Sequence, residues 1–139
     1  MADIILTNIS KSFGDKVLFR EYSLEIEHGD FVAIMGASGS GKTTLLNIMG
    51  LLEKPDSGDI TLCGQKKLSF SSPAANKLRR EKISYLFQNY GLIDTETVEG
   101  NMKIATHFKK LGKHDEQQLI ANALARLDCR AMSTAEYIH

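Results

Sequence analysis

The chain has 139 residues, of which 42% are hydrophobic and 24% are charged, and its 17 Lys and Arg are balanced by 17 Asp and Glu. This apolar fraction is typical of one soluble folded domain and excludes a disordered chain, a collagen-like repeat and a disulfide-dependent miniprotein. The zero net charge excludes a general nucleic-acid binder, because such proteins depend on a surplus of Lys and Arg.

Alternating apolar and polar residues predict β-strands in the first third of the chain. The pattern is present at residues 4–6 and again at residues 23–27. Turn sequences follow at residues 14–15 and 28–30. A continuous apolar run at residues 31–35 then predicts a short buried strand.

A glycine- and serine-rich loop and a helix come directly after this run. Residues 36–44 read GASGSGKTT, and the apolar residues at 45–49 predict a helix that Gly50 ends. A turn sequence at residues 55–58 and renewed alternation at residues 60–62 predict another strand. The order strand, glycine loop, helix is therefore the central feature of the sequence.

A basic segment precedes the next apolar run. From Lys66 to Lys82 the sequence has six Lys or Arg and one Glu, a net charge of +5. We interpret this segment as the solvated face of a helix, with contact to anionic lipid or nucleic acid as the alternative. Residues 83–88, ISYLFQ, predict a further strand.

The last part of the chain has helical periodicity. The first predicted helix has four apolar residues on one face, Val98, Met102, Ala105 and Phe108, and a stop signal at residues 111–112. The second is predicted to begin at Asp115, which can cap the helix while Gln118 reaches back to it. The apolar stripe predicted for this second helix consists of Leu119, Ala123, Leu124 and Leu127.

The sequence shows no targeting or membrane-spanning segment. Its apolar runs are much shorter than the roughly 18 to 20 residues that cross a bilayer, and its first residues lack a basic region followed by an apolar block. Cys63 and Cys129 have neither a CxxC partner nor a nearby His cluster. We therefore expect reduced thiols in a cytosolic protein.

The glycine loop matches the pattern G-x-x-x-x-G-K-[ST] in full, so we interpret it as a phosphate-binding loop, with a chance match in a turn as the alternative. Glycines let successive backbone N–H groups turn towards phosphate oxygens, and the following helix adds its positive N-terminus. The Lys42 ammonium can bind the β- and γ-phosphates, the Thr43 hydroxyl can ligate Mg²⁺, and Thr44 can donate to the α-phosphate. The predicted binding residues in the loop are Gly36, Ala37, Ser38, Gly39, Ser40, Gly41, Lys42, Thr43 and Thr44.

The loop and its surroundings resemble the nucleotide-binding domain of ABC transporters. GASGSGKTTLLNIMGLLEKPDSGDITLCG and the later ISYLFQNYGLIDTETVEGN carry the resemblance, which extends along essentially the whole chain. It implies an α/β P-loop NTPase fold of ABC type, with an N-terminal antiparallel β subdomain and the start of a helical subdomain. The chain would then be the N-terminal portion of a single domain, with a β-rich and P-loop core at residues 1–90 and the helical start at 91–139.

The resemblance implies further site residues outside the loop. Phe13 resembles the aromatic residue that stacks on adenine, and Val17 would pad the edge of the base. Gln88 resembles the Q-loop glutamine, whose amide oxygen can ligate Mg²⁺ and whose side chain contacts the attacking water. Lys42 and Gln88 are thus the implied catalytic residues, and Thr43 and Gln88 the implied metal ligands. The alternatives are a hairpin core residue for Phe13 and a solvated strand end for Gln88.

Several family motifs are not found in this sequence. It has no LSGGQ-type signature, no apolar strand ending in Asp-Glu, no D-loop and no switch histidine. The residues that hold Mg²⁺ through water and polarise the attacking water would belong to those motifs. We therefore expect this portion alone to hydrolyse ATP poorly.

The function implied by the resemblance is ATP binding, with Mg²⁺, by the energy-coupling ATPase subunit of an ABC transporter. The similarity is greatest to the group serving lipoprotein release, macrolide efflux and peptide or bacteriocin export. The implied partners are a transmembrane permease subunit and a second nucleotide-binding domain, with no nucleic acid, at the cytoplasmic face of the cell membrane. The alternatives are a soluble ABC ATPase that is not a transporter and a non-hydrolysing nucleotide-binding fragment.

Overall fold

The structure is a computed structural model in which residues 2–126 are described. These residues form two compact units with a boundary between Tyr85 and Leu86. The first unit contains the strands and two helices, and the second unit contains two helices. Leu127 was predicted to lie in a helix and Cys129 to be a reduced thiol. Both residues lie outside the described residues.

A three-stranded antiparallel sheet forms the frame of the first unit. Its strands are β1 (Ala2–Phe13), β2 (Lys16–Glu27) and β3 (Ser57–Leu62), in the spatial order β2-β1-β3. The alternation at residues 4–6, 23–27 and 60–62 predicted these strands, and the structure confirms all three. The register pairs Leu6 with Leu24 on one side and with Ile60 on the other, so apolar residues align across the sheet.

The core of the first unit lies between this sheet and two helices, α1 (Lys42–Met49) and α2 (Pro73–Glu81). Helix α1 is confirmed, and it buries the apolar side that its sequence predicted. The largest fully buried side chains are Leu6, Ile9, Ile48 and Ile60. Burial of such side chains stabilises a fold by roughly 1.5–3 kcal/mol each.

Helix α2 confirms a helix in the basic segment, and local signals explain its start. The Ser72 hydroxyl accepts a hydrogen bond from Ala75 N–H at 3.1 Å, and Pro73 is the first helical residue. Arg79 does not lie on a solvated face, because its Nη1 donates to the carbonyls of Leu51 at 2.8 Å and Phe70 at 3.1 Å. The basic segment therefore uses one of its cations to hold the fold together.

Two predicted strands are absent from the described structure. Residues 31–35 and 83–88 have no strand conformation, and Phe31 and Met35 are 98% and 89% exposed. A strand needs a hydrogen-bonded neighbour, and the sheet of the described residues includes neither segment. An apolar run therefore shows that a segment could form a buried strand, but a strand forms only where a neighbouring strand is available to hydrogen-bond with it.

The second unit contains α3 (Val98–Thr106) and α4 (Lys113–Arg126). The Thr97 hydroxyl caps α3 by accepting from Gly100 N–H at 3.0 Å. The Glu99 carboxylate lies 2.6 Å from the Lys103 ammonium one turn later. Both predicted helices are therefore confirmed as elements, although their details differ.

The differences concern boundaries and buried faces. Phe108 lies beyond the end of α3 and is 62% exposed. Helix α4 begins at Lys113, so Asp115 lies in its first turn rather than at the cap. Ile120 is its buried residue, whereas Leu119 is 41% exposed. An open groove of about 680 Å³ lies between the two helices and is lined in part by Met102, Leu119 and Ala123.

No helix within residues 2–126 combines the length and the apolar character that crossing a membrane requires.

The first residues of β3 provide a test of the sheet. Gly58 has a φ of 96°, and a Cβ atom there would lie 2.5 Å from the Asn8 carbonyl oxygen and 2.6 Å from that of Thr7. Gly64 has a similar φ of 77° but nothing within 4 Å. We expect Gly58→Ala to lower the free energy of unfolding by more than about 2 kcal/mol, because backbone must move as well as adopt a strained φ. The matched Gly64→Ala should cost about 1 kcal/mol. Urea unfolding followed by circular dichroism measures both, and equal losses would contradict the crowding between β1 and β3.

Candidate functional site

The glycine loop is an exposed turn between residues 31–35 and α1. Ser40 N–H donates to the Ala37 carbonyl at 3.2 Å, which closes the turn. Gly39 and Gly41 have φ values of 73° and 95°, a conformation that disfavours any side chain. Gly41 is the N-cap of α1, and its carbonyl accepts from Leu45 N–H at 2.8 Å. The loop therefore leads directly into the positive end of a helix.

The Lys42 ammonium lies across this loop. Its Nζ donates to the Gly36 carbonyl at 2.9 Å and to the Ala37 carbonyl at 2.8 Å. An ammonium has three donors, and two of them are used here. The cation is thus held at the loop by uncharged acceptors, which a phosphate oxygen can replace with a gain in electrostatic energy.

The two threonines follow in the first turn of α1. Thr43 is exposed and Thr44 is half-buried. The first N–H groups of a helix have no partner within it and are suited to binding an anion. The hydroxyl of Thr43 is therefore accessible at the end of the loop where an anion would bind.

The β1–β2 hairpin contacts the loop through two side chains that the sequence did not single out. Lys16 Nζ donates to the Gly39 carbonyl at 2.9 Å. The Phe19 ring packs against Gly41, where a Cβ atom would lie 2.8 Å from the ring. In the sequence, the only indication of these contacts was that Lys16 and Phe19 lie on the strand that follows Phe13. Hairpin and loop are consequently fixed to each other within the first unit.

Phe13 is the last residue of β1, and its ring is 52% exposed. It pairs with Lys16 across the hairpin, while the neighbouring pair joins Ser12 to Val17, whose side chain is 45% exposed. This exposure contradicts the alternative that Phe13 is a hairpin core residue. Phe13 therefore shares a face of the hairpin with Lys16, whose ammonium reaches the loop, and Val17 lies at the adjacent strand position.

A buried lysine lies against Phe13. Lys11 is 8% exposed, and its Nζ lies 4.9 Å from the centre of the Phe13 ring. The same Nζ lies 2.7 Å from the Glu53 carboxylate and 3.6 Å from that of Asp56. Its hydrogen bond to Glu53, followed by the charges of the two carboxylates, raises the pKa of Lys11 despite burial. No local sequence pattern indicates this group, because Lys11 is more than forty residues from Glu53 and Asp56.

Asp56 also fixes the backbone next to Phe13. Its Oδ2 accepts hydrogen bonds from Ser12 N–H at 2.7 Å and from the Ser12 hydroxyl at 2.8 Å. These two bonds, the hydroxyl first, lower the pKa of the Asp56 carboxyl below its ordinary value. The end of β1 is therefore joined to the segment that leads into β3 by charged hydrogen bonds.

Gln88 belongs to the second unit. It is exposed and begins a turn in which Tyr90 N–H donates to the Phe87 carbonyl at 3.0 Å. In the described part of the chain, no three His, Cys, Asp or Glu side chains are grouped to hold a metal ion. Any Mg²⁺ would therefore depend on ligands such as hydroxyl, amide and phosphate oxygens.

Comparison with known proteins relates this arrangement to a family. The family model described as ABC transporter matches residues 19–137. The macrolide export ATP-binding/permease protein MacB of Campylobacter jejuni is 39% identical over 115 residues, covering 81% of this chain and 18% of MacB. The bacitracin export ATP-binding protein BceA of Halalkalibacterium halodurans is 36% identical, covering 80% of this chain and 46% of BceA.

A solved structure extends the similarity to the fold. The ATP-binding cassette MJ0796, in a dimeric post-hydrolysis state bound to ADP and Pi, superimposes with a TM-score of 0.82 at 29% identity. The match covers 98% of this chain and 63% of that one, so the chain spans less than two thirds of each relative described here. The structural match confirms the α/β fold of ABC type that the motifs implied.

The Asp56 hydrogen bonds predict an acid-sensitive contribution to stability. Because the pKa is lower in the folded state, the stabilisation is complete above the ordinary carboxyl value of 3.8 and is lost as the pH falls through the folded-state value. Asp56→Asn imitates the protonated acid. We expect its melting temperature to be lower than that of the unmodified chain at pH 7, with the difference shrinking as the pH falls below 3.8.

Asp59→Asn is the control for that measurement. Asp59 is an exposed carboxylate on β3 whose Oδ2 lies 3.8 Å from Lys67 Nζ, a weak surface pair. Its substitution should change the melting temperature little at any pH. A constant difference between Asp56→Asn and the unmodified chain from pH 3 to pH 7 would contradict the role given to Ser12 and Asp56.

Proposed function

The chain belongs to the ABC transporter family, whose model matches residues 19–137, and from that premise we propose that it binds Mg-ATP at the glycine loop and the β1–β2 hairpin. The observation that supports this most directly is the Lys42 ammonium, held over the loop by the Gly36 and Ala37 carbonyls. The binding residues we propose in the loop are Gly36, Ala37, Ser38, Gly39, Ser40, Gly41, Lys42, Thr43 and Thr44.

Binding begins, in this proposal, with an exchange of partners at Lys42. Phosphate oxygens replace the two neutral carbonyls as acceptors for the Lys42 ammonium. The exchange costs little, because water can donate to the two released carbonyls at this exposed loop, and it adds attraction between opposite charges. Backbone N–H groups at the start of α1 supply further donors to the phosphates. Thr44 donates from the next helical position.

We assign Mg²⁺ to oxygen ligands because its chemistry requires them. The Thr43 hydroxyl is exposed at the loop, and Gln88 supplies an amide oxygen according to the family resemblance. When bound, Mg²⁺ neutralises charge on the β- and γ-phosphates. Both Lys42 and Gln88 are proposed to act in hydrolysis, Lys42 by stabilising phosphate charge and Gln88 by orienting water.

The adenine base would stack on the exposed ring of Phe13. An aromatic face binds a base without needing a hydrogen-bond pattern. Val17, on the following strand, would cover the edge of the base according to the family resemblance. The hydrogen bond from Lys16 to Gly39 supports this arrangement, because it ties the hairpin that carries the ring to the loop that binds the phosphates.

At the level of the whole protein, we propose an ATPase subunit that drives export through a transmembrane permease. MacB and BceA are both named as export ATP-binding proteins, and MJ0796 is a dimer with ADP and Pi bound. The protein would act at the inner face of the cell membrane as one of two nucleotide-binding domains. The substrate class we propose is a peptide, a bacteriocin or a lipophilic cargo.

Within that protein, residues 1–90 would provide the nucleotide-binding core, and residues 91–139 the start of the helical subdomain. The sequence has no residue matched to the family's general base or signature motif. We therefore propose that these 139 residues alone bind nucleotide with little hydrolysis.

The role of Lys42 is tested by calorimetric titration with Mg-ATP. Lys42→Ala should weaken binding by roughly 10-fold to 100-fold, because it removes charge-assisted hydrogen bonds to phosphate. Lys67→Ala is the control, since Lys67 is an exposed lysine that lies 3.8 Å from Asp59. Equal affinities for Lys42→Ala and the unmodified chain would contradict the phosphate-binding role.

The role of Phe13 is tested with two ligands. Phe13→Ala should weaken ATP binding by roughly 5-fold to 100-fold through loss of base stacking, while inorganic tripolyphosphate binds as before. Phe108→Ala, at an exposed phenylalanine of the second unit, serves as the control. Equal losses for both ligands would show that Phe13 supports the loop rather than the base.

A further inference from the structure

We propose that Lys11 is a positioning residue for adenine, whose buried ammonium lies on one face of the Phe13 ring and keeps the other face available for the base. The inference rests on the proposed stacking role of Phe13. It adds a residue that contacts no nucleotide and acts through the ring.

The placement of the two side chains follows from the strand. Lys11 and Phe13 are two residues apart on β1, so they project to the same side of it. Lys11 Nζ lies 4.9 Å from the ring centre, within the roughly 6 Å over which a cation attracts an aromatic face. Lys11 is 8% exposed and Phe13 is 52% exposed. The cation therefore contacts the ring from the buried side, and accessible ring surface remains.

Three oxygen atoms hold the ammonium at that point. They are Glu53 Oε1 at 2.7 Å, the Lys54 carbonyl at 2.8 Å and Asp56 Oδ1 at 3.6 Å. All three come from the segment between α1 and β3, so the ammonium is fixed from outside its own strand. Without such partners the Lys11 ammonium would turn towards solvent, and the Phe13 ring would be free to rotate.

A fixed cation has two effects on the ring. It restrains the ring orientation, which reduces the entropy lost when a base stacks on it. It also attracts electron density towards the buried face. Two stacked aromatic faces are both negative, so this attraction lowers the repulsion between Phe13 and adenine. Both effects act on the base and not on the phosphates.

That separation distinguishes positioning from support of the fold. Lys11→Met keeps the apolar stem and removes the charge. We expect it to weaken ATP binding by roughly 3-fold to 10-fold, with tripolyphosphate affinity unchanged within twofold. Lys11→Arg retains a cation and should restore most of the ATP affinity. Lys67→Met is the matched control for the loss of one lysine charge.

A double-mutant cycle with Phe13→Ala gives the decisive reading. Once the ring is gone, Lys11→Met should have no further effect on ATP affinity. An equal loss for ATP and tripolyphosphate would overturn the proposal, because it would show a structural role. The proposal would also be overturned if Lys11→Met weakened ATP binding equally in the unmodified chain and in Phe13→Ala.

If Lys11→Met fails to fold, Glu53→Gln tests the same point. This substitution keeps the Lys11 ammonium but weakens its attachment, so we expect a smaller loss of affinity that is confined to ATP.

The outcomes separate this inference from the proposed function. If Phe13→Ala weakens ATP binding but neither Lys11→Met nor Glu53→Gln does, the inference on Lys11 is wrong and the stacking role of Phe13 remains. If the unmodified chain does not bind ATP, or if Phe13→Ala leaves ATP affinity unchanged, the proposed stacking role and the inference on Lys11 are both overturned.

Discussion

The pairing of β1 with a strand on each side is the constraint on which the described site depends. Leu6 and Ile9 of β1 are 1% and 0% exposed, so the first part of the strand is fixed by the hydrophobic core. The same strand continues out of the core to Phe13, which is 52% exposed and pairs with Lys16. Its partner β2 then returns with Lys16, which donates to the Gly39 carbonyl. Core packing thereby connects the strand that carries Phe13 to the loop that we propose binds phosphate.

The loop itself shows how a backbone can be prepared for an anion before one arrives. In a tight turn, N–H groups that converge on one side leave carbonyls on the other, and those carbonyls need donors. Lys42 supplies them at Gly36 and Ala37, and Lys16 supplies one at Gly39. The two cations stabilise the loop shape in the absence of ligand. Much of the entropy cost of ordering the loop is therefore met by folding rather than by binding.

Local patterns predicted most of the first unit because its elements are defined by neighbours in sequence. Alternation of apolar and polar residues predicted the three strands, and the glycine loop followed by apolar residues predicted α1. The strands expected at residues 31–35 and 83–88 were wrong for the described structure, because a strand is completed by residues distant in the chain. Lys11 was missed for the same reason. Its strand position indicates only a polar residue, whereas its burial depends on carboxylates that arrive with another segment.

The zero net charge of the chain is compatible with the proposed binding of a polyphosphate once each cation is assigned its partner. Lys11 lies between the carboxylates of Glu53 and Asp56, so its charge is balanced where it stands and serves to hold Phe13. Lys16 and Lys42 donate to uncharged carbonyls, which leave their positive charge effective at the loop. Electrostatic attraction falls steeply with distance in salt, so the charges within about 10 Å of the phosphates matter more than the sum over 139 residues. A chain without net positive charge can therefore still bind one polyphosphate through the local arrangement of its lysines, as we propose.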